Sequence, residues 1–128
     1  MTHWKPMKEA VNRFDPQAEF HIDEGCDITE LSNSGDDAEL SIARARVKPG
    51  TKTRWHRLTT TAERYVILEG SGFVEVGEHL QQHVGSGDVV LIPPGCRQRI
   101  TNTGSSDLVF LALCTPRFSD EVYLDAEE

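Results

Sequence analysis

The 128-residue chain is 38% apolar and 27% charged, a size and composition suited to one globular domain with its own hydrophobic core. Its formal net charge of −8, with no basic run or face, argues against nucleic acid and anionic membranes as partners and reads mainly as a solubility feature. There is no apolar stretch long enough to span a membrane and no signal-peptide core behind Met1-Thr2-His3-Trp4-Lys5-Pro6, and Cys26, Cys96 and Cys114 show neither metal nor redox spacing, so the expectation is a cytoplasmic protein with free thiols.

Residues 1–37 read as a lead-in segment. Pro6 is placed to open a short helix running through Phe14, with Pro16 ending it. Asn33-Ser34-Gly35-Asp36-Asp37 is a loop. From about residue 39 short apolar runs alternate with turn signals: Leu40–Val47, Trp55–Leu58, Tyr65–Leu68, Phe73–Val76, Val89–Ile92 and Leu108–Leu113. The punctuation includes Pro49-Gly50, Gly70-Ser71-Gly72, Gly85-Ser86-Gly87 and Pro93-Pro94-Gly95. No helix-period segment interrupts residues 39–115, which excludes a βαβ fold and predicts an all-β barrel or sandwich over 38–115. In the tail, 116–128, Ser119 before Asp120 and Glu121 is placed to cap a short helix, with Phe118 and Tyr123 as a hydrophobic staple. Residues 125–128 are expected to fray.

Two segments carry the chemistry. In the first, from Pro49 to Gly70, residues Gly50, His56, Glu63 and Gly70 stand in register with the first conserved motif of the cupin superfamily, which this segment resembles. Leu58 stands at the motif's second histidine. The segment from Gly87 to Asn102 resembles the second cupin motif through Gly87, Pro93, Gly95 and Asn102, with Gln98 at the histidine position. The resemblance covers roughly residues 38–115. It implies a double-stranded β-helix, or jelly-roll, barrel of the small bacterial type, paired as a homodimer. The four glycines also have a reading of their own, as sharp reversals where positive φ disfavours any residue with a Cβ.

Because side chains alternate along a strand, an inward His56 takes Arg54 and Leu58 inward with it; Glu63 takes Tyr65 and Ile67, and Gln98 takes Cys96 and Ile100. Arg97 and Arg99 flank Gln98, a trio equally suited to an exposed edge strand. Arg44 and Arg46 share one strand face and are expected to point to solvent. His79 and His83, four apart on a strand, lie too far apart to chelate one ion. The expected site is therefore polar groups on apolar walls: His56 and Glu63 as catalytic candidates, Arg54, Tyr65, Cys96 and Gln98 as ligand-binding candidates.

The resemblance also implies a divalent ion (manganese, iron, zinc or nickel) held by histidines and a glutamate. Here His56, Glu63 and the Gln98 amide are all that remain of that set, which weakens metal binding or abolishes it; a cysteine variant using Cys96 or Cys114 has no recognised spacing. Two functions are open. One is binding of a small polar or anionic organic molecule, an anion needing arginines focused inside. The other is an isomerase, epimerase, lyase or dioxygenase that uses His56 and Glu63 as an acid/base pair or through a metal.

Overall fold

The protein was analysed as a computed structural model that describes residues 7–127. Eleven strands form among these residues: β1 (Phe20–Ile22), β2 (Cys26–Ser32), β3 (Ser41–Val47), β4 (His56–Leu58), β5 (Ala62–Glu69), β6 (Ser71–Val76), β7 (Leu80–Gly85), β8 (Val89–Ile92), β9 (Gln98–Asn102), β10 (Leu108–Thr115) and β11 (Tyr123–Asp125). They pair antiparallel into a six-stranded sheet, β1-β2-β3-β10-β5-β8, and a five-stranded sheet, β11-β4-β9-β6-β7. From β3 onward the chain crosses repeatedly from one sheet to the other, and this exchange makes the two sheets one jelly-roll barrel. The all-β double-stranded β-helix expected from the sequence is the observed fold. No helix among the described residues is long and apolar enough to cross a membrane.

Period-two burial follows from the pleat. Along β5, Glu63, Tyr65 and Ile67 are buried while their neighbours are partly exposed. Along β9, Gln98, Ile100 and Asn102 alternate in the same way. Val47, Ile67, Val74, Ile100 and Leu108 form a dry core with about 1% exposure or less. Gly50, Gly70, Gly87 and Gly95 all take positive φ, as their turn positions required. At Gly70 a second constraint is added, since a Cβ there would lie 2.7 Å from the Asp107 carbonyl oxygen.

Several local expectations change. Residues 7–14 form no helix; Pro6 lies outside the described residues. Pro16 instead opens a 3-10 turn, Pro16–Ala18, whose first N–H groups are capped by Asp15, with Gln17 N donating to Asp15 Oδ1 at 2.9 Å. Residues 7–18 are exposed throughout and offer no apolar stripe to bury, so a helix there gains nothing from packing. Residues 20–32, read as a lead-in, are β1 and β2 of the larger sheet. Arg46 is not simply solvated: it reaches Glu19 at 2.6 Å, Asp27 at 3.0 Å and Asp107 at 3.2 Å. Arg44 lies 3.6 Å from Glu19 and over the Phe14 ring. Together they tie the N-terminal segment across the outside of the sheet.

At the other end, Ser119 precedes a 3-10 turn, Asp120–Val122, though its side chain makes no cap bond. The tail then joins the five-stranded sheet as β11, beside β4. It is held to its last described residues: Ala126 N donates to the Trp55 carbonyl at 2.9 Å, and Trp55 N to the Glu127 carboxylate at 2.7 Å. The fraying expected for 125–128 is therefore not what residues 125–127 do.

Candidate functional site

A cavity of about 340 Å³ opens at the end of the barrel where the β1–β2 turn approaches the C-terminal 3-10 turn. His56, Glu63 and Tyr65 line it, as expected. So does Cys114, weighed from the sequence only as part of a cysteine ligand set, and so do Glu24, Cys26 and Tyr123, which sequence reasoning did not place there.

His56 is 3% exposed. Its Nδ1 donates to the Arg54 carbonyl at 2.9 Å. That bond fixes the proton on Nδ1 and leaves Nε2 with a free lone pair whenever the ring is neutral. Nε2 lies 3.6 Å from Glu24 Oε1. The Tyr123 ring stacks on the imidazole, with centroids 5.4 Å apart and planes 14° apart. Burial pushes the His56 pKa down, against the pull of its bond to the Arg54 carbonyl and of Glu63, so the neutral, basic form is the one present near pH 7.

Glu63 is buried, and its Oε1 has no hydrogen-bond partner. Burial pushes its pKa up to about 7; His56 opposes the rise and Glu24 adds to it. Behind it, the Tyr65 hydroxyl donates to Gln98 Oε1, and Gln98 hydrogen-bonds Glu63 in turn. Gln98 pairs with His56 across β9 and β4 and lies in the wall behind the cavity, not on its surface. It positions Glu63.

Glu24 sits in the turn between β1 and β2. Burial lifts its pKa to about 7 as well, although hydrogen bonds from the Cys26 thiol and Tyr123 favour its ionised form. The thiol approaches Glu24 Oε2 at 3.7 Å. Two carboxyl groups poised near neutrality thus share the cavity with one neutral imidazole.

Two expected site residues lie elsewhere. Arg54 is exposed and bonds Asp125 at 3.0 Å. The alternation argument failed because β4 begins only at His56, so residue 54 is not on the strand pleat. Cys96 precedes β9 and packs against the apolar core. Arg97, just before β9, and Arg99, on it, stack on the Trp55 ring at 4.1 and 4.3 Å, and β9 lies inside its sheet and not at an edge. The exposed His83 packs edge-on to Phe73 at 4.9 Å.

A family model of the cupin domain matches residues 43–114. The chain belongs to the cupin family. It is 32% identical over 117 residues to an uncharacterized protein of Methanocaldococcus jannaschii, covering 90% of this chain and 93% of that one. It is 27% identical over 121 residues to a glucose-6-phosphate isomerase of Pyrococcus abyssi, covering 85% of this chain but only 60% of the isomerase. Among solved structures it is similar to Pac13, a nucleoside dehydratase from Streptomyces, with a TM-score of 0.75, 14% identity and 92% coverage of each chain. At that identity the likeness is one of fold.

This cupin's donors do not fit a divalent ion held by several protein side chains. Leu58, at the second histidine position, is a buried hydrocarbon. The Gln98 amide oxygen already accepts from Tyr65. Among the described residues no three His, Cys, Asp or Glu side chains come together in a way that could hold a metal.

Proposed function

We propose that this cupin binds a small polar organic molecule in its barrel and moves a proton on it, with His56 as base and Glu63 as acid. The observation that carries the reading is that Glu63, a buried carboxyl with its pKa lifted to about 7, lines the same cavity as His56, whose Nε2 lone pair is free. A substrate with a carbonyl or hydroxyl group can accept from the protonated Glu63 while His56 takes a proton from the adjacent carbon. Positive charge then develops on the imidazole, and Glu24, 3.6 Å away, stabilises it. General acid/base groups placed in this way contribute about 10²–10⁴ in rate. Isomerisation, epimerisation and loss of water all begin with this step. The isomerase relative and the dehydratase of the same fold are consistent with it. A phosphorylated or other anionic substrate is disfavoured, because no lysine or arginine among the described residues lines the cavity.

The test is solvent deuterium exchange followed by proton NMR on a panel of hydroxyketones, ketoses and amino ketones. Wild-type protein is expected to exchange the carbon-bound proton next to the carbonyl of at least one, and His56→Ala and Glu63→Gln to lose about 10²-fold or more of that rate. Exchange that is equal in both variants, or absent across the panel, refutes the proton-transfer role. Saturable binding without exchange leaves a binding module.

A further inference from the structure

The barrel interior is filled unevenly. Away from the cavity Val47, Ile67, Val74, Ile100 and Leu108 close it with branched side chains. Inside the cavity the six-stranded sheet carries alanine instead: Ala43 and Ala45 on β3, and Ala112 on β10, which pairs directly with Ala43. Small residues in a barrel ordinarily fit its taper against larger ones. These three line open space. The strand register places them against the reactive groups. Cys114 pairs with Glu63 and Ser41 in one row across β5, β10 and β3, and Ala112 pairs with Tyr65 and Ala43 in the next inward row. Phe110, Ala45 and Ile28 form the row after that. Successive rows are about 7 Å apart, the rise of two residues of antiparallel strand. Partners for further hydroxyl groups are absent from this part of the wall or already engaged. Among the described residues no asparagine, glutamine, threonine, lysine or arginine lines the cavity. Ser41 Oγ accepts from the Phe118 N–H at 2.9 Å, and the Tyr65 hydroxyl donates to Gln98. Asp23, Glu30 and Asp120 are exposed to solvent. Leu58, where the motif carries a second histidine, adds hydrocarbon from the other sheet.

We propose that the substrate is polar only at its reacting end and carries an apolar group, an aryl ring or branched alkyl chain, seated on Ala43, Ala45 and Ala112. The spacing of one row puts that group within a few bonds of the carbon that reacts beside Glu63 and His56. Apolar surface gains free energy by leaving water for such a wall. The hydroxyl groups of a sugar or other polyol would give up water and meet hydrocarbon, which costs free energy without compensation. This inference deepens the proton-transfer reading and rests on the same cavity. It narrows the substrate class from carbonyl compounds in general to aryl- or alkyl-substituted ones, and away from sugars.

A series of hydroxymethyl ketones that differ only in the second substituent tests it: methyl in hydroxyacetone, isobutyl, benzyl, and the dihydroxyethyl group of erythrulose. Affinities are measured by titration calorimetry or ligand-observed NMR on the full chain. The isobutyl or the benzyl ketone is expected to bind about tenfold or more tightly than both hydroxyacetone and erythrulose. Ala43→Leu and, separately, Ala112→Leu push a larger side chain into the space and are expected to cut the preference for that ketone over hydroxyacetone about tenfold. Ala43→Val intrudes less, is expected to cut it about threefold, and serves where leucine disturbs the fold, with circular dichroism confirming the fold of each variant. Apolar ketones that bind no better than hydroxyacetone or erythrulose, a series in which neither apolar ketone binds, or a preference unchanged in the folded variants overturn the inference. Deuterium exchange with no apolar preference removes the apolar subsite and leaves the proton transfer. Apolar preference without exchange does the reverse.

Discussion

Asn102 and Glu63 are both buried polar side chains from the recurring motifs, and they behave in opposite ways. Asn102 Nδ2 donates to the Val47 and Ser106 carbonyls at 2.8 Å each, and Oδ1 accepts from Gly104 N at 2.9 Å. It closes a loop and lies outside the cavity. Asn102→Ala leaves three backbone groups short of a partner, so a loss of about 2–4 kcal/mol is expected in urea unfolding, with ligand affinity unchanged in the folded fraction. A loss below about 1 kcal/mol would show that water or relaxation replaces those bonds. Glu63 leaves one buried oxygen without a partner, a cost that no fold-holding contact at that atom offsets. The motifs put His56 and Glu63 in the cavity and Gln98 just behind it. They could not separate an Asn102 that closes a loop from a Glu63 that lines the cavity, because that difference lies in what surrounds each side chain. Arg54 illustrates the limit of pattern. Its distance of two from His56 suggested a shared face, but no strand runs through residue 54 to enforce one.

At the scale of elements, the apolar runs that became β3, β4, β5, β6, β8 and β10 were legible because alternation survives where one face is buried. β7 was not: most of its residues are exposed, so its polar sequence carries no alternation signal. β1, β2 and β11 were hidden for a different reason. They are short, and their membership of the sheets is decided by partners far along the chain. They also deliver Glu24 and Tyr123, so the half of the site that comes from the ends of the chain could not be read from the two motifs. The Asp23-Glu24-Gly25 turn between Phe20–Ile22 and Cys26–Ser32 was the one available clue to a hairpin. β11 seats Tyr123 over His56, and burial is the leading cause of the lowered His56 pKa. Tyr123→Ala is therefore expected to readmit water and raise that pKa towards its ordinary value near 6.5. An NMR titration of the His56 ring protons reads it directly. A pKa that falls or stays put would mean that Tyr123 does not control solvation of the imidazole.

The whole molecule holds these groups at a price in stability that depends on pH. Glu24 and Glu63 have folded pKa values lifted from the ordinary 4.5 to about 7, so between those limits the folded chain holds protons that the unfolded chain has released. Stability contributed by their protonated forms is full below about pH 4.5 and is lost as pH rises through about 7. His56 works the other way: its folded pKa is lowered, so the unfolded chain gains a proton first as pH falls through 6.5. Two carboxyls outweigh one imidazole, leaving about one extra proton on the folded state around pH 6. Stability should then rise on acidification from pH 8 to about 5.5, with a slope of about 1.4 kcal/mol per pH unit for one extra proton. The net charge of −8 pushes in the same direction, because partial protonation relieves self-repulsion. Below about pH 4.5 the trend reverses, since Glu19 beside Arg46 and Asp125, bonded by the Glu127 N–H and by Arg54, have lowered pKa values and lose those interactions when protonated. Urea unfolding across this range measures the profile, and Glu63→Gln assigns it. Removing the ionisable group should raise stability at pH 8 by up to about 3 kcal/mol and flatten the slope between pH 5.5 and 8. A variant less stable than wild type at pH 8 with an unchanged slope would place the proton uptake elsewhere and leave Glu63 an ordinary structural carboxylate.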